Sequence, residues 1–188
     1  MTRILGLSGS LRRLSFNSGL LAAAAELTPE GASLDVLTPK GVPLYDADLE
    51  AAEGLPPSVV ALKAAIASAD GLLLATPEYN NGIPGVFKNM IDWASRPAGD
   101  IARLFGGKPV ALVSASPGGL GGVLAQDAWL SVLRTLGTRP WFEGRLMVSR
   151  AGALFDENGR LRDEPTRERL GVFVSGFVAF VRAQPGSA

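Results

Sequence analysis

The alternation of apolar runs and mixed segments along the chain predicts strands that alternate with helices. The clearest example is the apolar run from Gly71 to Ala75, which is typical of a buried strand. A polar turn at residues 80–82 follows it. Apolar residues then recur at 86, 87, 90, 91 and 94, which is the spacing of one helix face, and Pro84 suits the first turn of that helix.

The same pattern predicts four further strands, at residues 4–7, 33–37, 110–113 and 141–148. It also predicts four further helices: one that begins near Asn17 or Ser18, one at 58–68, one that runs through 126–136 and stops at Gly137, and one at 164–182. Residues 38–57 and 96–107 are expected to be a loop and a connection. Residues 155–162 are expected to form a hairpin-like turn, and residues 186–188 a frayed tail.

Strands that alternate with helices form parallel sheets through right-handed crossovers. We therefore expect an α/β fold, a flavodoxin-like three-layer sandwich with a five-stranded parallel sheet in the order 2-1-3-4-5. The sequence shows no linker and no internal repeat. Residues 1–188 are accordingly expected to form a single domain, for which this is an ordinary length.

Three of the predicted strands end in loops rich in Gly, Ser and Asn, and a parallel sheet brings those ends to one edge. The first loop, residues 8–17, combines hydroxyls, an amide and the cations of Arg12 and Arg13, and it leads into a helix N-terminus. Free N–H groups and the positive end of the helix dipole favour an anion there, such as a terminal phosphate. A polar turn with two solvated arginines is the alternative. The loop matches neither the Walker A nor the G-x-G-x-x-G fingerprint.

The second loop offers Tyr79 and the backbone N–H groups of residues 78–82. A planar heterocycle needs such donors at its edge and an apolar platform. Taken alone, Tyr79 is better explained as an ordinary rim aromatic. The third loop, residues 116–122, has four glycines that let a ring lie close to the backbone, although a flexible strand–helix turn explains them equally well. Together the three loops resemble a mononucleotide site.

Composition narrows the possible chemistry. The chain contains neither His nor Cys, which excludes disulfides, His-based triads and thiolate–imidazole metal sites. Its 18 basic and 18 acidic residues give a net charge of zero, which argues against a general nucleic-acid binder. The N-terminus has no long apolar segment, and the apolar run near the C-terminus is shorter than the about 20 residues that span a bilayer. A cytoplasmic protein with no membrane partner is expected.

Three motifs resemble those of the NAD(P)H-dependent FMN reductases, a family that includes quinone, chromate and azo-dye reductases. Residues 9–17 are similar to its phosphate loop, G-S-L-R-x-x-S-x-N. Residues 76–80 and 84–93 resemble its P-E-Y-N…P-G-x-[LF]-K-N-x-[IL]-D-W signature, and residues 121–126 are similar to its G-G-x-R-x-Q segment. The match runs in the right order from residue 3 to about residue 137.

The resemblance implies an FMN cofactor and assigns it two sets of residues. The phosphate would be held by Ser10, Arg12, Ser15, Phe16 and Asn17. The isoalloxazine would be lined by Pro77, Glu78, Tyr79 and Asn80, with Ser116 near its other edge. The implied activity is hydride transfer from NAD(P)H via FMN to a quinone-like or other small-molecule acceptor, or to free flavin. Because the cofactor carries this chemistry, no catalytic side chain is assigned.

The resemblance also implies a homodimer, with a tetramer as the larger alternative, and an active site near the partner subunit. Two departures from the family pattern concern this assembly. Leu124 stands where many members have Arg, and Asp127-Ala128 replaces a more aromatic or His-containing pair. The corresponding helix of relatives lies near subunit contacts, so the departures affect the expected quaternary arrangement rather than flavin binding.

Other functions remain open at this point. A flavodoxin-like electron carrier would use the same fold, although such carriers are strongly acidic and this chain is neutral. A non-redox regulator would bind a nucleotide or partner with it. A hydrolase is disfavoured, because residues 6–10 form a broken nucleophile elbow with no His to serve it. Asp46, Asp48 and Glu50 offer oxygen ligands for a hard cation, but a solvated acidic loop explains them better.

Overall fold

The computed structural model describes residues 1–183, and its strands form one parallel sheet. In chain order the strands are β1 Thr2–Ser8, β2 Ala32–Leu37, β3 Gly71–Ala75, β4 Pro109–Ala115, β5 Arg139–Pro140 and β6 Leu146–Val148. The order β2-β1-β3-β4-β5, with parallel pairing, confirms the flavodoxin-like arrangement expected from the sequence. The tail expected at residues 186–188 lies outside the described residues.

Helices cover both faces of the sheet. They are α1 Phe16–Glu26, α2 Ala47–Glu53, α3 Pro57–Ser68, α4 Gly85–Ala94, α5 Ile101–Phe105, α6 Val123–Thr135 and α7 Glu164–Arg182. Helices α1 and α7 pack with Leu73 on one face, whereas α3, α4, α5 and α6 pack with Leu72 and Leu74 on the other. Successive strand residues point to opposite faces, which explains why β3 is apolar throughout. Within residues 1–183 no helix is long and apolar enough to cross a membrane.

The single strand expected at residues 141–148 is wrong, because the structure has two short strands, β5 and β6, on the same edge of β4. The Trp141 N–H still donates to the Val110 carbonyl at 2.8 Å, and the chain then leaves the edge until β6. The indole of Trp141 packs in the core against Phe173, with ring centroids 5.0 Å apart. A Cβ at Gly144 would lie 2.4 Å from that indole. Accommodating this large ring bends the backbone away from β4.

Two segments expected to be irregular contain helices. Within residues 38–57, α2 is capped by Asp46, whose carboxylate accepts a hydrogen bond from the Asp48 N–H at 2.8 Å. Within residues 96–107, a 3₁₀ turn at Ala98–Asp100 leads into α5. Both helices are too short to show a periodic apolar face in the sequence. The expected cap of α1 is also wrong: Ser15, not Asn17 or Ser18, accepts a hydrogen bond from the Ser18 N–H at 3.4 Å.

The carboxyl ends of three adjacent strands meet at one edge of the sheet. Strand β1 ends at Ser8, which pairs in register with Ala75 at the end of β3, and β3 in turn pairs with β4. We call the segments that follow these strands the first rim loop (residues 9–15), the second rim loop (76–84) and the third rim loop (116–122). They lie side by side, as expected from the sequence.

Candidate functional site

The first rim loop is held against the second by close packing around Gly9. Its N–H donates to the Ala75 carbonyl at 2.9 Å. A Cβ at this position would lie 2.3 Å from the Phe87 ring and 2.8 Å from Pro77. Such distances are far below van der Waals contact, so only glycine fits. The glycine that opens the loop therefore serves packing rather than ligand approach.

The polar groups expected to hold a phosphate lie close together in this loop. Ser10 is buried, and its hydroxyl accepts a hydrogen bond from the Arg12 N–H at 3.2 Å. Ser15 caps α1 beside the free N–H groups of that helix. The exposed guanidinium of Arg12 lies 5.3 Å from the ring centroid of Phe16, a cation–π distance. A hydroxyl, a cation and a helix N-terminus thus meet, which suits a dianion.

Asn17 has a structural role that the sequence did not reveal. Its side chain is buried, and it donates to the Ala115 carbonyl at 2.8 Å and accepts from the Ala115 N–H at 2.9 Å. The amide thereby joins the start of α1 to the end of β4, next to Ser116. One amide hydrogen of Asn17 takes part in neither of these two bonds.

The second rim loop contains a tight turn. The Tyr79 N–H donates to the Gly82 carbonyl at 3.2 Å, and the Gly82 N–H donates back at 3.1 Å. Asn80 and Asn81 between them have φ of 50° and 62°, the left-handed conformation of a type I′ turn. Two of the backbone donors expected to face a ligand are therefore used inside the turn. The N–H groups of Asn80 and Asn81 are not used in the turn, and they have no hydrogen-bond partner among residues 1–183.

Glu78 caps the helix that follows the third rim loop. Its carboxylate accepts hydrogen bonds from the Leu124 and Ala125 N–H groups at 2.8 and 3.0 Å. The N-cap position of α6 is Gly122, which has no side chain to make such bonds. The carboxylate assigned to the isoalloxazine by resemblance is thus engaged with α6. The glycine at the start of α6 is the only feature of the sequence that indicates a cap from another segment, because glycine has no side chain to accept the first N–H groups.

Two of the glycines in the third rim loop are required by packing. Gly121 and Gly122 have φ of 63° and 87°. A Cβ at either would lie 2.9 Å from a side-chain carbon, of Met147 and Ser114 respectively. The Ser114 hydroxyl donates to the Gly121 carbonyl at 2.6 Å and accepts from Gln126 Nε2 at 2.7 Å. The outer part of the loop keeps open space at Gly119.

Each rim loop presents one large apolar side chain to solvent. Leu11 is 56% exposed, Tyr79 is 51% exposed and Leu120 is 64% exposed. The hydroxyl of Ser116 lies nearby, half-buried and without a partner in the described part of the chain. Exposed apolar groups that cluster with unpaired donors are characteristic of a ligand-binding surface. A flat ring with polar edges, joined to a phosphate, fits this arrangement.

Other residues of the long second motif hold the structure around the site together. Asn89 accepts from the Tyr45 N–H and donates to the Pro43 carbonyl, both at 2.8 Å. Trp93 Nε1 also donates to that carbonyl, at 2.9 Å. These bonds fasten the segment before α2 onto α4. No local pattern indicates this role, because the partners lie more than forty positions away.

Two of the acidic side chains considered as cation ligands make contacts within the protein. Asp46 caps α2, and Glu50 accepts from Arg96 Nε and from the Tyr45 hydroxyl, both at 3.0 Å. The hydrogen bond from Arg96 lowers the pKa of Glu50, and the bond from Tyr45 adds to this effect. Among residues 1–183, no group of three or more His, Cys, Asp and Glu side chains could hold a metal ion.

Comparison with known proteins agrees with this geometry. The family model of the NADPH-dependent FMN reductases matches residues 2–153. An NAD(P)H-dependent FMN reductase of Pseudomonas aeruginosa is 41% identical over 184 residues, which cover 98% of this chain and 97% of that protein. A 2-hydroxy-1,4-benzoquinone reductase of a Burkholderia species is 40% identical over 174 residues, which cover 93% of each chain.

A solved structure gives the same result. A flavoenzyme NAD(P)H:acceptor oxidoreductase from Paracoccus denitrificans superposes with a TM-score of 0.85 at 34% identity, over 97% of this chain and 98% of that one. Similarity at this level extends over nearly the whole of both chains and includes all three rim loops. The chain belongs to the NADPH-dependent FMN reductase family.

Proposed function

We propose that the protein is an FMN-containing oxidoreductase that passes hydride from NAD(P)H to a small acceptor of the quinone class. The observation that carries the proposal is the composition of the rim. It combines groups that can bind an anion, unpaired backbone N–H donors and one exposed apolar side chain on each loop. The names of the relatives, an FMN reductase and a benzoquinone reductase, support the same activity.

FMN suits the chemistry of these donors. Ser10, Arg12 and Ser15 would hold its phosphate together with the N-terminus of α1. The Phe16 ring lies at cation–π distance from the Arg12 guanidinium, and Asn17 would donate its remaining amide hydrogen to the phosphate. The ring would lie along the second and third rim loops, against Pro77, Glu78, Tyr79, Asn80 and Ser116. Of these, Glu78 also has a structural role, because its carboxylate accepts hydrogen bonds from the first turn of α6.

Bound FMN supplies both the acceptor and the donor of hydride, so that step needs no acid–base side chain. The lack of His and Cys in the chain is consistent with this chemistry. The protein then has to bind the cofactor and to orient it. The N–H groups of Asn80 and Asn81 would hold the edge of the ring, and Leu11, Tyr79 and Leu120 would shield it from water. Nicotinamide and quinone would bind at the rim in turn, for which ping-pong kinetics are expected.

The proposal extends to assembly and location. Leu124 and Leu130 on α6 and the neighbouring Phe142 are exposed apolar residues, which supports a homodimer, with a tetramer as the larger alternative. Two cores that share one sheet support a single domain over residues 1–188. A chain without cysteine suits the reducing cytoplasm. Sedimentation equilibrium of the purified protein would test the homodimer, which a monomer at micromolar concentration would contradict.

The activity is tested by two measurements on the purified protein. The visible spectrum is recorded before and after addition of FMN, and oxidation of NADPH and NADH is followed with 1,4-benzoquinone as acceptor. We expect a flavin spectrum and quinone-dependent oxidation. A protein that takes up no FMN would refute the proposal. A yellow protein that oxidises neither nicotinamide without a partner protein would instead be an electron-transfer module.

A further inference from the structure

A groove of about 630 Å³ lies beside the first rim loop, on the outer side of α1. Its floor is the side of that helix that carries Gly19, Ala22 and Ala23. Its walls are the turn at residues 158–162 and the first turn of α7. The groove begins at Arg13 and Ser15, where the rim ends, and runs down the helix to Glu26. None of the residues on the second and third rim loops lines it, so it meets the proposed FMN site only at Ser15.

The wall formed by the turn is fixed in place. A Cβ at Gly19 would lie 2.1 Å from the Gly159 carbonyl oxygen, so the turn rests directly on α1. One oxygen of the Asp156 carboxylate accepts from the Asn158 and Arg160 N–H groups, both at 2.9 Å. The bond from Arg160 N–H lowers the pKa of Asp156. This carboxylate is therefore committed to holding the turn, and the groove exists before any ligand arrives.

The charges in the groove are not balanced. Arg167 pairs with Glu26 at 3.1 Å and with Glu164 at 4.0 Å, which are the two acidic residues of the lining. A guanidinium nitrogen of Arg162 lies 3.7 Å from a carboxylate oxygen of Asp156. The guanidinium groups of Arg13 and Arg160 have neither an ion-pair nor a hydrogen-bond partner within residues 1–183. Both residues line the groove. Two unpaired guanidinium groups that line one cavity suit an anion with several acceptor oxygens.

The remaining lining is small and apolar. Gly19, Ala22 and Ala23 form the floor, with Leu14 and Leu161 beside them. Residues this small leave a flat surface on the helix. The volume lies within the range of about 300–1,000 Å³ that small-molecule sites occupy. The lining thus suits a planar body of modest polarity that carries its charge at one end.

We propose that this groove binds a phosphate monoester attached to a flat body, in the manner of a phosphorylated nucleoside, with Arg13 and Arg160 on the phosphate. Two ligands have this chemistry. One is the 2′-phosphoadenosine part of NADPH, reaching down from the rim; the other is a free nucleotide that binds independently of the nicotinamide. Only binding of NADPH rests on the proposed function. A free nucleotide could bind the groove whether or not the protein binds FMN.

The test measures binding and kinetics on the protein supplied with FMN. Adenosine 2′-monophosphate is titrated by calorimetry into the wild type and the variants Arg160→Gln, Arg13→Gln and Arg134→Gln. Arg134 is an exposed arginine on α6 outside the groove, so it controls for the loss of one charge. We expect saturable binding that weakens roughly tenfold in each groove variant, as the loss of one charge-assisted contact implies. Adenosine without phosphate should bind weakly, and Arg134→Gln should bind as the wild type does.

Kinetics then identify the ligand. Two results would identify the ligand as NADPH. Adenosine 2′-monophosphate would inhibit competitively against NADPH, and Arg160→Gln would raise the KM for NADPH but not the KM for NADH. Arginine-dependent binding without competition supports a free nucleotide. The proposal is refuted if adenosine 2′-monophosphate shows no saturable binding at millimolar concentration, or if both groove variants bind it as the wild type does. Calorimetry gives this answer even if the protein oxidises no nicotinamide, so the two proposals fail separately.

Discussion

Removal of the Glu78 carboxylate should loosen the rim and destabilise the protein even when no ligand is present. The carboxylate accepts two hydrogen bonds, at 2.8 and 3.0 Å, from the first turn of a helix that opens on a glycine. Loss of an N-cap costs about 1 kcal/mol, and loss of a negative charge at a helix N-terminus costs about 0.5 kcal/mol more. We therefore expect Glu78→Ala to lose about 1.5 kcal/mol of unfolding free energy. Glu78→Gln, which keeps one neutral acceptor, should lose about half of that.

Thermal unfolding of the FMN-free protein measures this effect directly. A chain of this size shifts its Tm by about 2–4 °C per kcal/mol, so Glu78→Ala should melt about 3–6 °C lower. Glu143→Gln is the matched control, because Glu143 is exposed and its side chain makes no hydrogen bond in the described residues. Since the cap joins the second and third rim loops, FMN affinity should fall roughly tenfold in Glu78→Ala, which corresponds to about 1.4 kcal/mol.

A different result would refute the capping role. If Glu78 instead contacts the flavin, Glu78→Gln would change FMN affinity and the flavin spectrum but would leave the Tm of the FMN-free protein equal to that of the control. Unchanged stability together with unchanged FMN affinity would show that neither role is correct.

Three further changes test other parts of the structure. Asn17→Ala should lower the unfolding free energy by about 2–4 kcal/mol in urea titrations, because it leaves a buried N–H and C=O of β4 unpaired; an unchanged urea midpoint would contradict this. Gly122→Ala should lose about 1–3 kcal/mol through its φ of 87°, whereas Gly119→Ala, in open space, should melt with the wild type. Hydrogen bonds from Lys63 and Arg103 lower the pKa of Asp100. Asp100→Asn should therefore melt below the wild type at neutral pH, and the gap should close as the pH falls through that lowered pKa; a gap that persists in acid would refute the pairing.

Periodicity in the sequence was sufficient to predict the main elements. The apolar run of β3 and the helix α7 have the bounds expected for them. Gly137 follows the end of α6 with φ of 69°, as a glycine after a helix should. These features depend on residues that are close to one another in the sequence, and a local pattern contains that information. The sheet order then followed from general rules of chain connection.

Contacts between distant segments could not be predicted in this way. Local spacing made Asn17 a candidate cap of α1, but its partner is Ala115, ninety-eight positions away. Similarly, Trp141 was assigned to one continuous strand, whereas its indole packs against Phe173 and Phe177 on a distant helix, a contact that local spacing does not report. Helix α2 was missed for another reason, since seven residues are too few to show a repeating apolar face.

The rim loops are connected to one another by the same residues that identify the family. Gly9 joins the first loop to β3, Asn17 joins α1 to β4, and Glu78 joins the second loop to α6. Trp129 adds a fourth connection, because its indole N–H donates to the Thr76 hydroxyl at 3.1 Å. An enzyme whose cofactor carries the chemistry gains most from a binding edge that does not move. A strong motif residue in this fold therefore need not touch the ligand, and substitutions at Asn17 or Glu78 should be tested for stability before any loss of activity is attributed to lost contacts with FMN.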